Sequence, residues 1–196
     1  MGKILVLGVV AAVVWVTGHQ HTKHTERRLA AIASEIAERP VAVHCQSFVA
    51  ELVDVSSDAG KVAFDRNRPG DKTDLKRNVC RSLDRLRRDA AKPELACLDS
   101  GKRCPRHVHD EVWAATVLAH ESIHLAGQIR EDIAECQGIQ KTAFVARRLG
   151  ASKDVAAALG RYAWKQVYPQ AREDYRSLDC FNGGPFDLRP ADPIWP

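Results

Sequence analysis

Residues 118–125 read Leu118-Ala119-His120-Glu121-Ser122-Ile123-His124-Leu125. Two histidines four positions apart lie one turn above the other on a single helix face, so both imidazoles can reach one ion. Zinc suits such a pair, because it takes neutral imidazole nitrogen readily. Glu121, next to the first histidine, then stands where it can hold a water at that ion and take its proton. Val117, Leu118, Ser122, Ile123 and Leu125 carry no charge, as expected of a helix buried around a site.

Working outward, Gly127 can end this helix by adopting a left-handed backbone. The metzincin extension adds a third histidine and a methionine turn below the metal. It is excluded here, because Arg130 occupies the third-histidine position and the only methionine is Met1. A second helix from about Ile129 would run back antiparallel to the first across so short a loop. Glu131 and Glu135 share one face of it. In that arrangement Glu131 falls near His124, and Glu135 falls one turn on, near His120.

The two histidines, Glu121 and the pair Glu131 and Glu135 together resemble the gluzincin pattern of zinc metallopeptidases. In that pattern a Glu-x-x-x-Asp pair supplies the third ligand and then a carboxylate that orients a ligand histidine. The resemblance implies Glu131 as the third metal ligand. It puts Glu135 in the place of the aspartate, with one extra methylene as a departure. Glu131 follows His124 by only seven positions, closer than in the larger gluzincins and more similar to the compact minigluzincins. The likeness covers residues 107–149 alone. A second helix starting later than supposed would make Glu135 the ligand. Two imidazoles and one carboxylate leave a position open for water, the arrangement of a catalytic zinc site. The resemblance therefore implies one Zn2+ per chain, a peptide or protein substrate, and Glu121 as general base. Candidates for oxyanion stabilisation are Tyr162, Tyr168 and Tyr175 downstream, and His107 or His109 at the start of the motif helix.

The 196-residue chain fits one domain behind an N-terminal address. Ile4 to Val16 is apolar apart from Gly8. That length matches a signal-peptide hydrophobic region and falls short of the ~20 residues of a membrane-spanning helix. No small-x-small cleavage site follows, so removal and retention as a short anchor both stay open. Six cysteines without a CxxC pair suit three disulfides in an oxidising compartment. The pairings drawn are Cys97–Cys104 as a local loop, Cys136–Cys180 stapling the C-terminal tail to the metal-bearing helix, and Cys45–Cys80 tying the N-terminal segment to a helix.

His19, His21 and His24 read as a solvated linker. Residues 25–39 form an amphipathic helix through Leu29, Ile32, Ala33, Ile36 and Ala37, stopped by Pro40. It belongs either to the core or to a stalk along a membrane. Val41 to Val55 is the best strand region, with the run Leu52 to Val55. Asp58 to Gly60 turns into a second strand, Lys61 to Phe64, and an edge strand there would suit strand addition by a substrate. Asp65 to Thr73 reads as a polar Gly/Pro loop. Leu75, Val79, Leu83 and Leu86 mark a helix whose other face is rich in arginine. Helices follow at about 107–126, 129–149 and 153–167. The tail from Phe181 is irregular, packed by Phe186, Leu188 and Trp195.

A net charge of +4 is too mild for nucleic-acid binding, and aromatic interleaving is missing. No internal repeat, phosphate-binding glycine loop or nucleophile elbow is present. The expected fold is α+β and mostly helical, a zincin-like helical core with a small β ribbon, stapled by disulfides. The expected organisation is a signal peptide or membrane anchor at 1–18, a linker and amphipathic helix at 19–40, and a metallopeptidase domain at 41–196. The expected activity is peptide hydrolysis by an exported or membrane-anchored zinc enzyme. A non-catalytic zinc-binding protein or a membrane-tethered interaction protein is the alternative.

Overall fold

Apolar side chains at helical spacing need a common surface to bury against, and here they find it in one another. The computed structural model describes residues 22–47, 50, 58–90, 97–100, 102–192 and 195. Helix α1 spans 22–37. Strands β1 (Ala42–Cys45), β2 (Gly60–Asp65) and β3 (Arg68–Leu75) come next, then helices α2 (Arg77–Asp89), α3 (Arg106–Leu125), α4 (Glu131–Arg148) and α5 (Lys153–Tyr162). The described chain is thus mostly helical, with one three-stranded sheet. The Ile4–Val16 segment, His19, His21 and the run Leu52–Val55 lie outside the described residues. Among the described residues, no helix is long and apolar enough to cross a membrane.

The α1 stripe of Leu29, Ile32, Ala33, Ile36 and Ala37 is buried in the core, so that face packs inward and is not free to lie along a bilayer. Val79, Leu83 and Leu86 of α2 are fully buried beside Leu75, leaving the arginines outside.

The sheet departs from expectation. Its order is β1-β3-β2, with β1 parallel and β2 antiparallel to β3. The stretch read as a Gly/Pro loop is therefore the central strand, and β2, which contains Lys61–Phe64, forms a hairpin with it. The connecting turn is Arg66-Asn67, both with positive φ (47° and 65°), as a two-residue hairpin turn matching strand twist requires. Without the usual Asn-Gly it leaves no signal in the sequence. The strand itself is polar, with only Thr73 and Leu75 buried. Pro69 is tolerated because β1 pairs only with Lys72 to Leu75, leaving that end of β3 uncovered on one side.

Helices α3 and α4 form an antiparallel pair. Gly127 has φ 111°. The amide of Gly127 donates to His124 O (2.9 Å) and that of Gln128 to Ile123 O (3.2 Å), the double bond of a Schellman cap. On α4, Gly138 faces the α3 backbone: a Cβ there would stand 3.0 Å from both Cα and N of His120. Only glycine lets the helices meet this closely. Arg39 holds the pair to the sheet, its guanidinium donating to Leu125 O (3.0 Å) and to Gly70 O.

Disulfides join Cys45–Cys80, Cys97–Cys104 and Cys136–Cys180, the three pairs drawn from the sequence. The first ties β1 to α2. The third ties α4 to the tail, which Gln140 also grips by donating to Phe186 O (2.9 Å) and accepting from the Leu188 amide (2.8 Å). After α5, Ala163–Val167 continues as a π-helical turn. Short 3-10 turns at Tyr168–Gln170 and Glu173–Tyr175 then carry the chain back towards α4.

Candidate metal centre

The helix period and the Schellman cap together position His120 and His124. Both lie on one face of α3, buried to 5% exposure, with their Nε2 atoms 2.9 Å apart. Glu131, the first residue of α4, brings its Oε2 to 3.1 Å from each of them. Helix α4 starts two residues later than expected, yet Glu131 still reaches the histidines. Among the described residues these three form the single group of His, Cys, Asp or Glu side chains able to hold a metal ion.

The far side of each ring explains why the Nε2 atoms converge. His124 Nδ1 lies 2.6 Å from Gln128 O, and His120 Nδ1 lies 2.9 Å from Glu135 Oε2. A carbonyl and a carboxylate only accept, so both Nδ1 atoms carry hydrogen. With the second proton given up to an ion, the rings would be neutral and direct their Nε2 lone pairs into the centre. The Gln128 carbonyl is there because the glycine cap turns the chain over the end of α3. Glu135 is thus an orienting group, and Glu131 is the carboxylate of the cluster itself.

Three acceptor atoms so close together call for a cation. Burial draws the His120 imidazole down, but its bonds to Glu131 and Glu135 outweigh this and lift it to about 10. Burial pushes the Glu131 carboxyl up, and hydrogen bonds from the two imidazoles reverse this, holding it well below the usual range. We expect Glu131→Ala to lose more metal affinity than Glu135→Ala, the latter falling about 10–100-fold as an orienting residue does. Titration of each variant against a metal chelator reads this directly, and the opposite order would exchange the two roles.

Glu121 is also 5% exposed. Burial raises its pKa above the usual carboxylate value, against the opposing pull of His120 and His124. Thr73 Oγ1 of β3 lies 3.4 Å from its Oε2. On its other side β2 begins at Gly60, where a Cβ would stand 2.6 Å from Glu121 Cγ and 2.7 Å from Oε1. Strand β2 is the sheet edge next to the cluster, and further along it Phe64 meets His124 edge-on, ring centroids 5.9 Å apart. Gly60→Ala should therefore displace the Glu121 carboxylate and leave the metal ligands in place. If Glu121 is a reacting group, a 1 Å misplacement can cost ~10²-fold in rate, and activity would then fall steeply at unchanged metal content. Parallel activity and elemental measurements would show it, and an unaffected rate would contradict this close approach.

A cavity of about 260 Å³ opens over the cluster, lined among others by Gly60, Trp113, His120, Glu121, Arg172 and Tyr175. Tyr175 stacks on the His120 ring at 5.5 Å and 12°. Burial and then the Glu131 carboxylate push its phenol pKa up, so it is a neutral hydrogen-bond donor. Of the five oxyanion candidates, Tyr175 is the one brought to the cluster. Tyr162 instead accepts from the Cys104 amide (3.0 Å), and Tyr168 bonds the backbone of Ser177. His109 lies 3.4 Å from the Tyr162 hydroxyl, a neighbour of the structural tyrosine. His107, close by at the start of α3, does not line the cavity over the cluster.

Sequence reasoning missed Gly60, Thr73 and Arg172. Arg172 pairs with Asp174 (2.6 Å) and Asp58 (3.8 Å) and lies 5.1 Å from the Tyr175 ring centroid. No spacing rule connects these residues to the motif, because they reach it through the tertiary fold. Arg130, at the failed third-histidine position, turns away to pair with Asp132 (2.6 Å). Comparison with protein-family models, curated proteins and solved structures gives no match to this chain.

Proposed function

We propose that the chain is a zinc-dependent metallopeptidase of compact gluzincin type, with a zincin-like core, acting in an oxidising compartment after export or while anchored to a membrane. The observation that carries this reading is the convergence of His120 Nε2, His124 Nε2 and Glu131 Oε2 within 3.1 Å, beside the buried Glu121 carboxylate, which is not one of the three. The donor set fits zinc. Ligands ~2.0–2.1 Å from a tetrahedral ion stand ~3.3 Å from one another, a few tenths of an ångström from the separations found. Nitrogen donors also disfavour calcium and magnesium, which take oxygen.

When bound, zinc supplies Lewis acidity and makes a water acidic enough to lose its proton near neutral pH. The protein's own residues do the rest. Glu121 accepts that proton at its carboxylate, and its raised pKa suits an acceptor that must later give the proton up. It then delivers the proton to the departing amine nitrogen. Tyr175, whose ring stacks on His120, would donate from its hydroxyl to the oxygen that gains negative charge. The edge of β2 offers backbone groups to an extended peptide, and Gly60 leaves room beside Glu121. His120 and His124 keep their orientation through Glu135 and the Gln128 carbonyl.

The test is zinc content of disulfide-intact protein by elemental analysis, beside a His120→Ala/His124→Ala variant, followed by hydrolysis of a peptide library. About one zinc per chain, absent from the double variant, together with cleavage, is the expected result. Zinc whose removal unfolds the protein, without any hydrolysis, would instead mark a structural metal. Folded protein that takes up no zinc would overturn the reading altogether.

A further inference from the structure

The cavity at the cluster is continuous with a larger recess of about 760 Å³: Trp113, Glu135, Gln170 and Ala171 line both. The far end of the recess differs in charge from the end that holds Glu121 and Glu135. Arg103, Arg106 and His109 line it, with Asp110 as the acidic residue there.

Arg103 is held on a fixed backbone. The next residue, Cys104, is bonded to Cys97, and its amide donates to the buried Tyr162 hydroxyl (3.0 Å). The Arg103 guanidinium donates to Gln170 Oε1 at 3.1 Å, so this exposed group is tethered at the wall of the recess, which it lines. Arg106 approaches Asp110 only to 3.9 Å, and its side chain is 94% exposed. Such a surface pair contributes little, which leaves this guanidinium available to a ligand. Arg106 also begins α3, whose N-terminus has no side-chain cap, and the positive end of the helix dipole adds to the potential there.

Resting on the peptidase reading above, we propose that Arg103 and Arg106 form a subsite for a carboxylate side chain of the substrate, selecting peptides with Asp or Glu at a set distance from the scissile bond. Helix α3 gives the scale. From Arg106 to His120 is fourteen positions, ~21 Å at 1.5 Å per residue. An extended peptide rising ~3.3 Å per residue covers that in about six residues. The planar guanidinium fork takes a carboxylate bidentately, so the subsite reads acidic side chains and not merely bulk negative charge.

The experiment uses the zinc-loaded, disulfide-intact protein and twelve-residue fluorogenic peptides that carry a single Glu at successive positions, each with its Gln counterpart. Hydrolysis is followed in the unaltered protein, and binding by fluorescence anisotropy in Glu121→Gln. The expected result is a preference for Glu of about 10–100-fold in both kcat/KM and Kd, the scale of a charge-assisted bond, peaking near the sixth position. Arg103→Ala/Arg106→Ala should remove the preference and leave the Gln peptides unchanged, and Arg103→Glu should favour Lys at the same position. Hydrolysis indifferent to Glu or Gln overturns the subsite and leaves the peptidase reading standing. Glu-dependent binding without hydrolysis overturns the peptidase reading and leaves the subsite. Neither signal overturns both.

Discussion

Glu121→Gln is expected to retain its metal and to lose peptide hydrolysis by about 10²–10⁴-fold, the contribution of a positioned general base. The substitution is nearly isosteric, and Glu121 contributes no atom to the cluster of His120, His124 and Glu131. The amide keeps the shape that fits against Gly60 and Thr73 but cannot accept and return a proton. Burial already favours a neutral group at this position, so the variant should be at least as stable as the parent. Zinc stoichiometry, thermal unfolding and kcat measured on one preparation separate the roles. Full activity would remove Glu121 from the chemistry, and loss of zinc would make it a ligand after all.

The second large effect concerns the tail. Cys136 and Cys180 close a loop with a sequence separation of 44. On the chain-entropy account that cross-link is worth about 4 kcal/mol. Cys136→Ala/Cys180→Ala should lower Tm by about 8–16 °C, at ~2–4 °C per kcal/mol for a chain of this size. Activity should fall more than stability predicts at temperatures where the variant is still folded. The loop holds Arg172 and Tyr175, and Tyr175 stacks on His120. The Cys97→Ala/Cys104→Ala variant serves as comparison: with a separation of only 7 it should cost less. A Tm within two or three degrees of the parent for the long loop would show that Gln140 and the tail packing suffice on their own.

The helices and the cluster of His120, His124 and Glu131 were legible in the sequence for physical reasons. Leu29, Ile32, Ala33 and Ile36, and likewise Val79, Leu83 and Leu86, repeat at the helix period and have one face to bury. His120 and His124 are brought together by the same period, with no need for tertiary information. Gly127 announced its own left-handed turn. The sheet was not legible, because β3 holds its place by pairing on both sides and not through the preference of its residues. Arg68, Pro69, Gly70, Asp71, Lys72 and Asp74 would read as a loop in any sequence. The parts of the cleft that come from other elements, Gly60, Thr73 and Arg172, were hidden for a related reason. Their places are fixed by strand register and by the return of the tail, neither of which leaves a periodic trace. Six cysteines admit fifteen pairings; nearness in the chain pointed to Cys97–Cys104, whereas the two longer bonds depend on how the chain folds back and leave no mark in the spacing.

If the cluster holds an ion, as proposed, the meeting of Gly138 with the backbone at His120 has a bearing on which metal it would accept. Two ligands come from α3 and one from α4, so the gauge of the site is the distance between two helix axes. That distance is set by a bare backbone contact, which yields far less than a side chain does. An ion larger than the gauge must push two packed helices apart, and the cost is borne by the core as well as by the ligands. On that reading, selectivity by size would rest on a residue that never touches the ion, three positions beyond Glu135 on the same helix. A methyl group at 138 would widen the bore and shift preference towards larger ions, with every ligand unchanged.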